Sequence, residues 1–379
     1  MPDILDTRLA AFASSLRAAG AIRSDAVERA FATVARHRCV PRFRYGPDTI
    51  TVPQDTLPGG AVLDLVYSHQ SLVTSTGHNG QPSSSSSAPT LMARMLEALD
   101  VRRGLRVLEI GAGTGYNAAL IATITGAEVI TVEAGADTAH GAAESIRRLK
   151  LDHRVTVHHG DGYLGEPCGG PYDRIIVTCG VAGLSPHWLA QLAPGGRIVA
   201  PIAHGGVHPV LISTVTPSTV RGTAALWADF MPAAGPLRPA GLVGHDPAED
   251  IAATAVTRIP DASPARTMAA YHDLWFFLAT RHPNITRAYT SDGTVDPIQG
   301  ACALHLPPRG TAWVQTDASI AVAGKSTVGE ELRALTRAWG ALGQPPLTQF
   351  TCTFDQAGSA DTALWVPRQW VLDTVAAHD

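Results

Sequence analysis

The chain has 379 residues, of which 45% are hydrophobic and 16% charged, with a formal net charge of −4. That length holds two domains with a core in each, and the negative balance argues against a surface built for a phosphate backbone. No apolar run is long enough to span a membrane, and the N-terminus has no basic-then-apolar signal pattern. The five cysteines (Cys39, Cys168, Cys179, Cys302, Cys352) form no C-x-x-C or ligand-like cluster. They read as reduced thiols of a cytoplasmic protein with no metal site.

Residues 3–36 read as two amphipathic helices. Ile4, Leu5, Leu9, Phe12 and Leu16 share a helical spacing, Gly20 breaks it, and Ser24 is placed to cap a second helix carrying Val27, Ala30, Phe31 and Val34. Residues 42–76 are rich in Pro, Thr and Gly. They read as an irregular loop with a hairpin at Pro58-Gly59-Gly60, and Tyr67 to Gln70 as the start of a strand. Long ordered loops in enzymes often act as lids or binding segments.

The stretch Thr76 to Pro89 contains five successive serines, Ser83, Ser84, Ser85, Ser86 and Ser87. Such a run by itself suits a solvated linker. Here, though, Ser87-Ala88-Pro89 opens a helix, Thr90 to Leu99, with apolar residues three and four apart. Hydroxyls and unpaired N–H groups at a helix start suit a carboxylate. The serines are therefore candidate substrate contacts, and so is His78 just before them. The histidines His69, His78, His158 and His159 read as structural or substrate-contacting groups, not as acid–base catalysts.

The run 106–110 reads as a strand buried on both faces. Gly111-Ala112-Gly113-Thr114-Gly115 follows, then Tyr116-Asn117 and an apolar helix start at Ala118. Strand, glycine turn and helix open a doubly wound α/β sheet, with a nucleotide-like ligand across the turn. A dinucleotide fingerprint reads G-x-G-x-x-G. This chain has G-x-G-x-G, with Glu109 and Ile110 before the first glycine and a second acid, Glu133, followed by Ala134, closing the next strand. A carboxylate about 20 residues past the turn is placed to accept both ribose hydroxyls.

The alternation continues with a helix from Asp137 to Leu149 and a strand from Arg154 to His159. A Gly160-Asp161-Gly162 turn follows at the ligand end of that strand, then a strand from Pro171 to Thr178 and a helix from Pro186 to Leu192. The run Ala193–Pro201 comes next, then a strand at Val210–Ser213, a segment Leu226–Pro232 that resembles a terminal strand of the family named below, and a linker over Pro236–Gly241. From residue 242 onward, strand-like runs (Ala301–Leu306, Thr311–Thr316, Ile320–Val322, Leu347–Phe354, Ala363–Val366) surround helices near 266–280 and 327–341. This pattern is that of a smaller α+β domain. Most of its aromatic residues read as core, with others available to line a peptide groove.

The form E-x-G-x-G-x-G resembles motif I of the S-adenosyl-L-methionine (AdoMet) methyltransferases. Ala30-Phe31…Val34…Arg36…Val40-Pro41, then Ser87-Ala88-Pro89, Gly160-Asp161-Gly162 and Pro194-Gly195-Gly196-Arg197, occur in the order that resembles the protein-L-isoaspartate (D-aspartate) O-methyltransferases over about residues 5–235. Cys39 replaces that family's Phe, and Pro232-Ala233-Ala234 replaces its Pro-Leu-Thr.

The resemblance implies a doubly wound, Rossmann-like AdoMet-dependent methyltransferase sheet over 1–235, with a helical cap (1–45) and a loop (46–82), and an α+β domain over 236–379 for peptide recognition or as a lid. It implies AdoMet held by Glu109, Ile110, Gly111, Ala112, Gly113, Thr114, Gly115, Asn117, Glu133, Ala134, Asp161, Gly162 and Thr178. Glu109 would face the methionine end and Asp161 the adenine. Ser87, in the place of a family serine that touches the substrate carboxylate, would act with Ser85 and Ser86, and Ser83, Ser84 and His78 would line the substrate. The partner would be a peptide or protein bearing Asp or isoAsp, with no nucleic acid, membrane or metal.

The added domain and the serine run resemble enzymes that tailor ribosomal peptides such as lanthipeptides and graspetides. The expected function is therefore carboxyl O-methylation of an Asp or isoAsp in a peptide, the ester then closing to a succinimide. General isoaspartate repair is the alternative, and a non-catalytic peptide-binding module on the same fold is a third reading.

Overall fold

A computed structural model describes residues 4–77, 80, 82–216, 218–239, 248–251, 256–259, 266–290 and 300–373. The N-terminal cap forms as its periodicity predicts. Helices α1 (Ile4–Ala18) and α2 (Asp25–Phe31) bury Leu9, Phe12, Leu16, Val27 and Phe31. The Ser24 hydroxyl accepts from the Val27 amide, and Ser24 itself donates to Glu97.

The loop that follows is more ordered than its composition suggests. A hairpin does form, but earlier than expected. Strands β1 (Arg42–Tyr45) and β2 (Asp48–Thr51) pair antiparallel around Gly46, whose positive φ of 59° glycine adopts without strain. Gly59 instead precedes a short helix, α3 (Gly60–Val66), because Leu63 and Val66 pack inward at helical spacing. Tyr67 ends that helix, and the strand expected from it begins later, as β3 (Leu72–Thr76). The serine run is neither linker nor coil. Pro82–Ser86 form strand β4, antiparallel to β3, and lead into helix α4 (Pro89–Leu99) with Pro89 in its first turn.

The central layer alternates as the glycine turn implies: β5 (Val107–Ile110), α5 (Tyr116–Thr125), β6 (Val129–Glu133), α6 (Ala136–Arg148), β7 (Val155–His159), β8 (Tyr172–Val177), α7 (Pro186–Gln191), β9 (Leu192–Pro201), β10 (Val210–Thr216), β11 (Thr219–Leu226). Strands β5, β6, β7, β8 and β9 are mutually parallel. Successive residues of each strand enter opposite cores. Val107, Val129, Ile176 and Val199 pack with α1, α2, α4 and α5, whereas Leu108, Ile130, Ile175 and Ile198 pack with Trp188, Tyr163 and Tyr172. Burial on both faces explains why these strands read as unbroken apolar runs.

The C-terminal segment begins with β12 (Ala248–Ile251) and β13 (Val256–Ile259), then α8 (Met268–Arg281), β14 (Ile285–Thr290), β15 (Ala301–Leu306), β16 (Gly310–Val314), β17 (Ile320–Gly324) and α9 (Ser326–Ala341). The six strands form a second sheet in the order β12-β14-β15-β16-β17-β13. Both helices lie where the sequence places them, and they bury Trp275, Phe276, Phe277, Leu332 and Trp339.

The last two strands, β18 (Phe350–Ala357) and β19 (Leu364–Leu372), leave this unit. They complete the central sheet, whose order is β19-β18-β11-β10-β9-β8-β5-β6-β7. The 235/236 boundary therefore divides the chain in sequence, while the main sheet draws strands from both sides of it. Two further expectations are corrected. Residues 227–231 lie outside the strand that ends at Leu226. The expected linker is packed down at its start, where Leu237 is buried and its carbonyl accepts from the Ala182 amide at 2.9 Å. Its last two residues, Ala240 and Gly241, lie outside the described residues.

Candidate active site

The order β8-β5-β6 places β5 where the sheet's connections diverge, so its C-terminal end opens on a crevice. Gly111 leaves β5 with φ 96°, and a Cβ there would lie 2.6 Å from Thr178 Oγ1. Thr178 in turn donates to the Gly111 carbonyl at 2.6 Å. Only glycine permits both the angle and the approach. Thr178 thus braces the turn.

Glu109 is fully buried at the floor. Asn117 donates to its Oε1 at 2.7 Å and Thr131 to its Oε2 at 2.6 Å. Burial nevertheless pushes its carboxyl up to about 7, opposed by those two donors and aided by repulsion from Glu133. Glu133 ends β6 and curls over the turn, where Oε2 accepts from the Gly113 amide and Oε1 from the Gly135 amide, each at 3.1 Å. Asp161 Oδ1 accepts from the Tyr163 amide at 2.9 Å, which fixes the Gly160-Asp161-Gly162 turn. A Cβ at Gly162 would approach Ile110 to 2.8 Å, so this wall also is closed to side chains.

A cavity of about 590 Å³ joins these groups. Its lining contains Glu109, Ile110, Gly111, Ala112, Gly113, Thr114, Asn117, Glu133, Ala134, Asp161, Gly162 and Thr178 on one side, and Ser83 to Ser87 on the other. Of the expected cofactor residues, Gly115 alone falls outside this lining. It starts α5 with φ 78°, and a Cβ there would lie 3.1 Å from the Ala142 carbonyl, so its role is to pack α5 on α6.

The serines separate by position. Ser86 is 1% exposed and its hydroxyl accepts from Arg36 Nε at 3.2 Å, so it is committed to the fold, contrary to the catalytic role expected of it. Ser83 and Ser84 bond across the hairpin to Ser75 and Thr74. Ser85 and Ser87 are half-buried, and their hydroxyls have no partner among the described residues. His78 lies outside the described residues. His69 contacts Ser15 at 2.9 Å, His158 Nδ1 lies 3.4 Å from Glu166, and His159 contacts the Ala134 carbonyl at 3.2 Å; none of these three lines the cavity.

Sequence reading missed the third wall, formed by Asp229 to Ala234 with Leu237. Asp229 forms an ion pair with Arg287 from the C-terminal unit, and His208 Nδ1 lies 3.1 Å from it. Those partners, despite partial burial, hold its carboxyl below the usual range. The segment gave one usable signal, an acid within an otherwise apolar run. Cys179 also lines the cavity; burial pushes its thiol up to about 12, so it is no thiolate nucleophile.

A sheet with a parallel centre, a glycine turn after β5 and an acid at the end of β6 is the fold of the AdoMet-dependent methyltransferases. A sequence model of the protein-L-isoaspartate (D-aspartate) O-methyltransferase family matches residues 8–219, more than half of the chain, and the chain belongs to that family. It is 40% identical over 140 residues to a protein-L-isoaspartate O-methyltransferase of Thermotoga maritima, covering 36% of this chain and 44% of that protein. It is 36% identical over 189 residues to one of Methanopyrus kandleri, covering 49% of this chain and 73% of that protein. A solved structure titled protein-L-isoaspartate O-methyltransferase superposes with a TM-score of 0.54 at 24% identity, over 93% of this chain and 98% of that one. That fold likeness extends beyond the residues the family model matches, so the C-terminal unit is not peculiar to this chain. Among the described residues no helix is long and apolar enough to cross a membrane, and no group of three or more potential metal ligands is assembled.

Proposed function

We propose that the chain is an AdoMet-dependent carboxyl O-methyltransferase acting on an isoaspartyl or aspartyl residue of a protein or peptide. The observation that carries this reading is the single cavity shared by the glycine turn, Glu133 and Asp161 on one wall and the Ser85 and Ser87 hydroxyls on the other. The residues fit the cofactor. Glu133, held above the turn, would offer its carboxylate to ribose hydroxyls, Asp161 would accept from the adenine amine, and the buried Glu109 would complement a cationic methionine end.

When bound, AdoMet supplies a methyl group on sulfonium sulfur. The substrate carboxylate oxygen would form the new O–C bond as the donor's C–S bond breaks, and the charges of anion and sulfonium would cancel in the products. No proton moves in that step, so no general base is required of the chain. Its residues hold the carboxylate in line and exclude water, which is where such a reaction gains rate. In the product, the next residue's backbone nitrogen attacks the ester carbonyl. Methanol leaves with the amide proton, giving a succinimide that water opens to Asp or isoAsp.

Family membership favours isoaspartyl residues of damaged proteins as the substrate. A second reading, maturation of a ribosomal peptide at Asp, is favoured by the uninterrupted serine strand β4 and by Pro232-Ala233-Ala234, which leaves the third wall without a hydroxyl. Steady-state kinetics on matched peptides separates the two. Efficient turnover of short, unrelated isoAsp peptides, with Asp peptides inert, is the expected result. Turnover confined to a cyclised Asp precursor would establish the second reading instead.

A further inference from the structure

A buried cation lies directly behind the serine strand, and methyl transfer as described gives it no task. Arg36 is 0% exposed. Its Nη1 donates to the carbonyls of Val66 and Ser68 at 2.8 and 3.3 Å, and Nη2 to those of Gln70, Ser86 and Ser87 at 3.2, 3.2 and 3.0 Å. Nε donates to the Ser86 hydroxyl. None of these partners is a carboxylate, and the groups that favour its charge are only Tyr116, Tyr67 and Cys39. Burial lowers its pKa to about 10, so it remains a cation at neutral pH. Enclosing a guanidinium without a counter-ion is costly, and a neutral clamp would secure the same loops at less cost.

The hydrogen bonds also have a direction. A trans peptide plane places its N–H opposite its C=O. With the Ser86 and Ser87 carbonyls drawn onto the guanidinium, the N–H groups of Ser87 and Ala88 point away from it. Neither has an acceptor among the described residues. Ser86, Ser87 and Ala88 all line the cavity.

We propose that Arg36 is a positioning residue for the acceptor carboxylate. It turns the 86–88 backbone so that two N–H groups meet the anion, and it stands behind them as the missing counter-charge, in surroundings too dry to screen it. The incoming carboxylate completes the ion pair that the fold leaves open. This inference rests on the carboxyl methyltransferase reading of the cavity.

The test uses the full chain saturated with S-adenosyl-L-homocysteine (AdoHcy), and two peptides differing only in an isoaspartyl carboxylate or its carboxamide. Wild type is expected to bind the carboxylate at least about tenfold more tightly, as charge-assisted hydrogen bonding implies. In Arg36→Met the preference should fall below about threefold, with AdoHcy affinity unchanged, whereas Arg36→Lys should retain most of it. An Arg36→Met protein that binds AdoHcy normally and keeps the full preference overturns the proposal. Should that variant not fold, the wild-type pair still decides: equal affinity for the two peptides overturns it. A wild type that binds AdoHcy but neither peptide removes the methyltransferase reading, and this inference with it.

Discussion

Glu133 and Gly113 are twenty residues apart in sequence, and the Gly113 amide donates to the Glu133 carboxylate at 3.1 Å. Parallel pairing of β5 and β6, with Ile110 beside Val132, brings the end of one strand over the turn that follows the other. The carboxylate is thus held in place before any ribose arrives. Replacing Glu133 by Ala should weaken AdoMet binding about 10- to 100-fold, the range for losing hydrogen bonds to a charged group. Isothermal titration checks this, and unchanged affinity would remove Glu133 from the site.

Glu109 should make both stability and binding depend on pH. Its folded pKa of about 7 lies above the ordinary 4.5 because burial disfavours the charged form. A raised pKa contributes stability that is present below about 4.5 and lost as pH rises through about 7. Glu109→Gln should therefore flatten the decline and raise stability at pH 8 by roughly 3 kcal/mol at most. A cationic ligand favours the carboxylate, so binding AdoMet near pH 6.5 should release protons, and AdoHcy fewer. Titration in buffers of different ionisation enthalpy reads both values.

The glycine turn depends on space that Thr178 bounds. Gly111→Ala would put a methyl 2.6 Å from Thr178 Oγ1 at a φ of 96°. We expect AdoMet affinity to fall by about tenfold or more and stability by about 1–3 kcal/mol. Adding Thr178→Ala should relieve the contact and restore part of the loss, while the strain in φ persists. No recovery in the double variant would show that the backbone angle alone carries the cost.

Ser85 and Ser87 carry the hydroxyls of the serine run that have no partner among the described residues. Ser87→Ala and Ser85→Ala should each raise KM for the acceptor peptide by a few-fold to about tenfold, in line with one hydrogen bond lost. AdoHcy affinity should stay within a factor of about two. Steady-state kinetics with the peptide varied at saturating AdoMet measures the first, and calorimetry the second.

Much of this site was legible in the residues themselves. The spacing of Gly111, Gly113 and Glu133 marks the crevice at the end of β5 because one backbone geometry requires it. The helices near 266–280 and 327–341 are fixed by their apolar periodicity. What the sequence hid depends on long-range pairing. Five identical serines give no clue to which faces inward, since the choice is made by the β3–β4 register and by Arg36, fifty residues away. The third wall around Asp229 needs Arg287, distant in sequence, to hold its charge. Likewise, nothing local in Phe350–Leu372 shows that the paired strands β18 and β19 join the main sheet, with β18 against β11, rather than the six-stranded sheet that precedes them.

The most direct test of the central claim is a crystal structure with AdoHcy and an isoaspartyl peptide bound together. The account predicts the nucleoside between Glu133 and Asp161, with the peptide carboxylate against Ser85 and Ser87 and facing the sulfur. A nucleoside bound away from the Gly111–Gly113 turn, or a carboxylate remote from the serine strand, would contradict it.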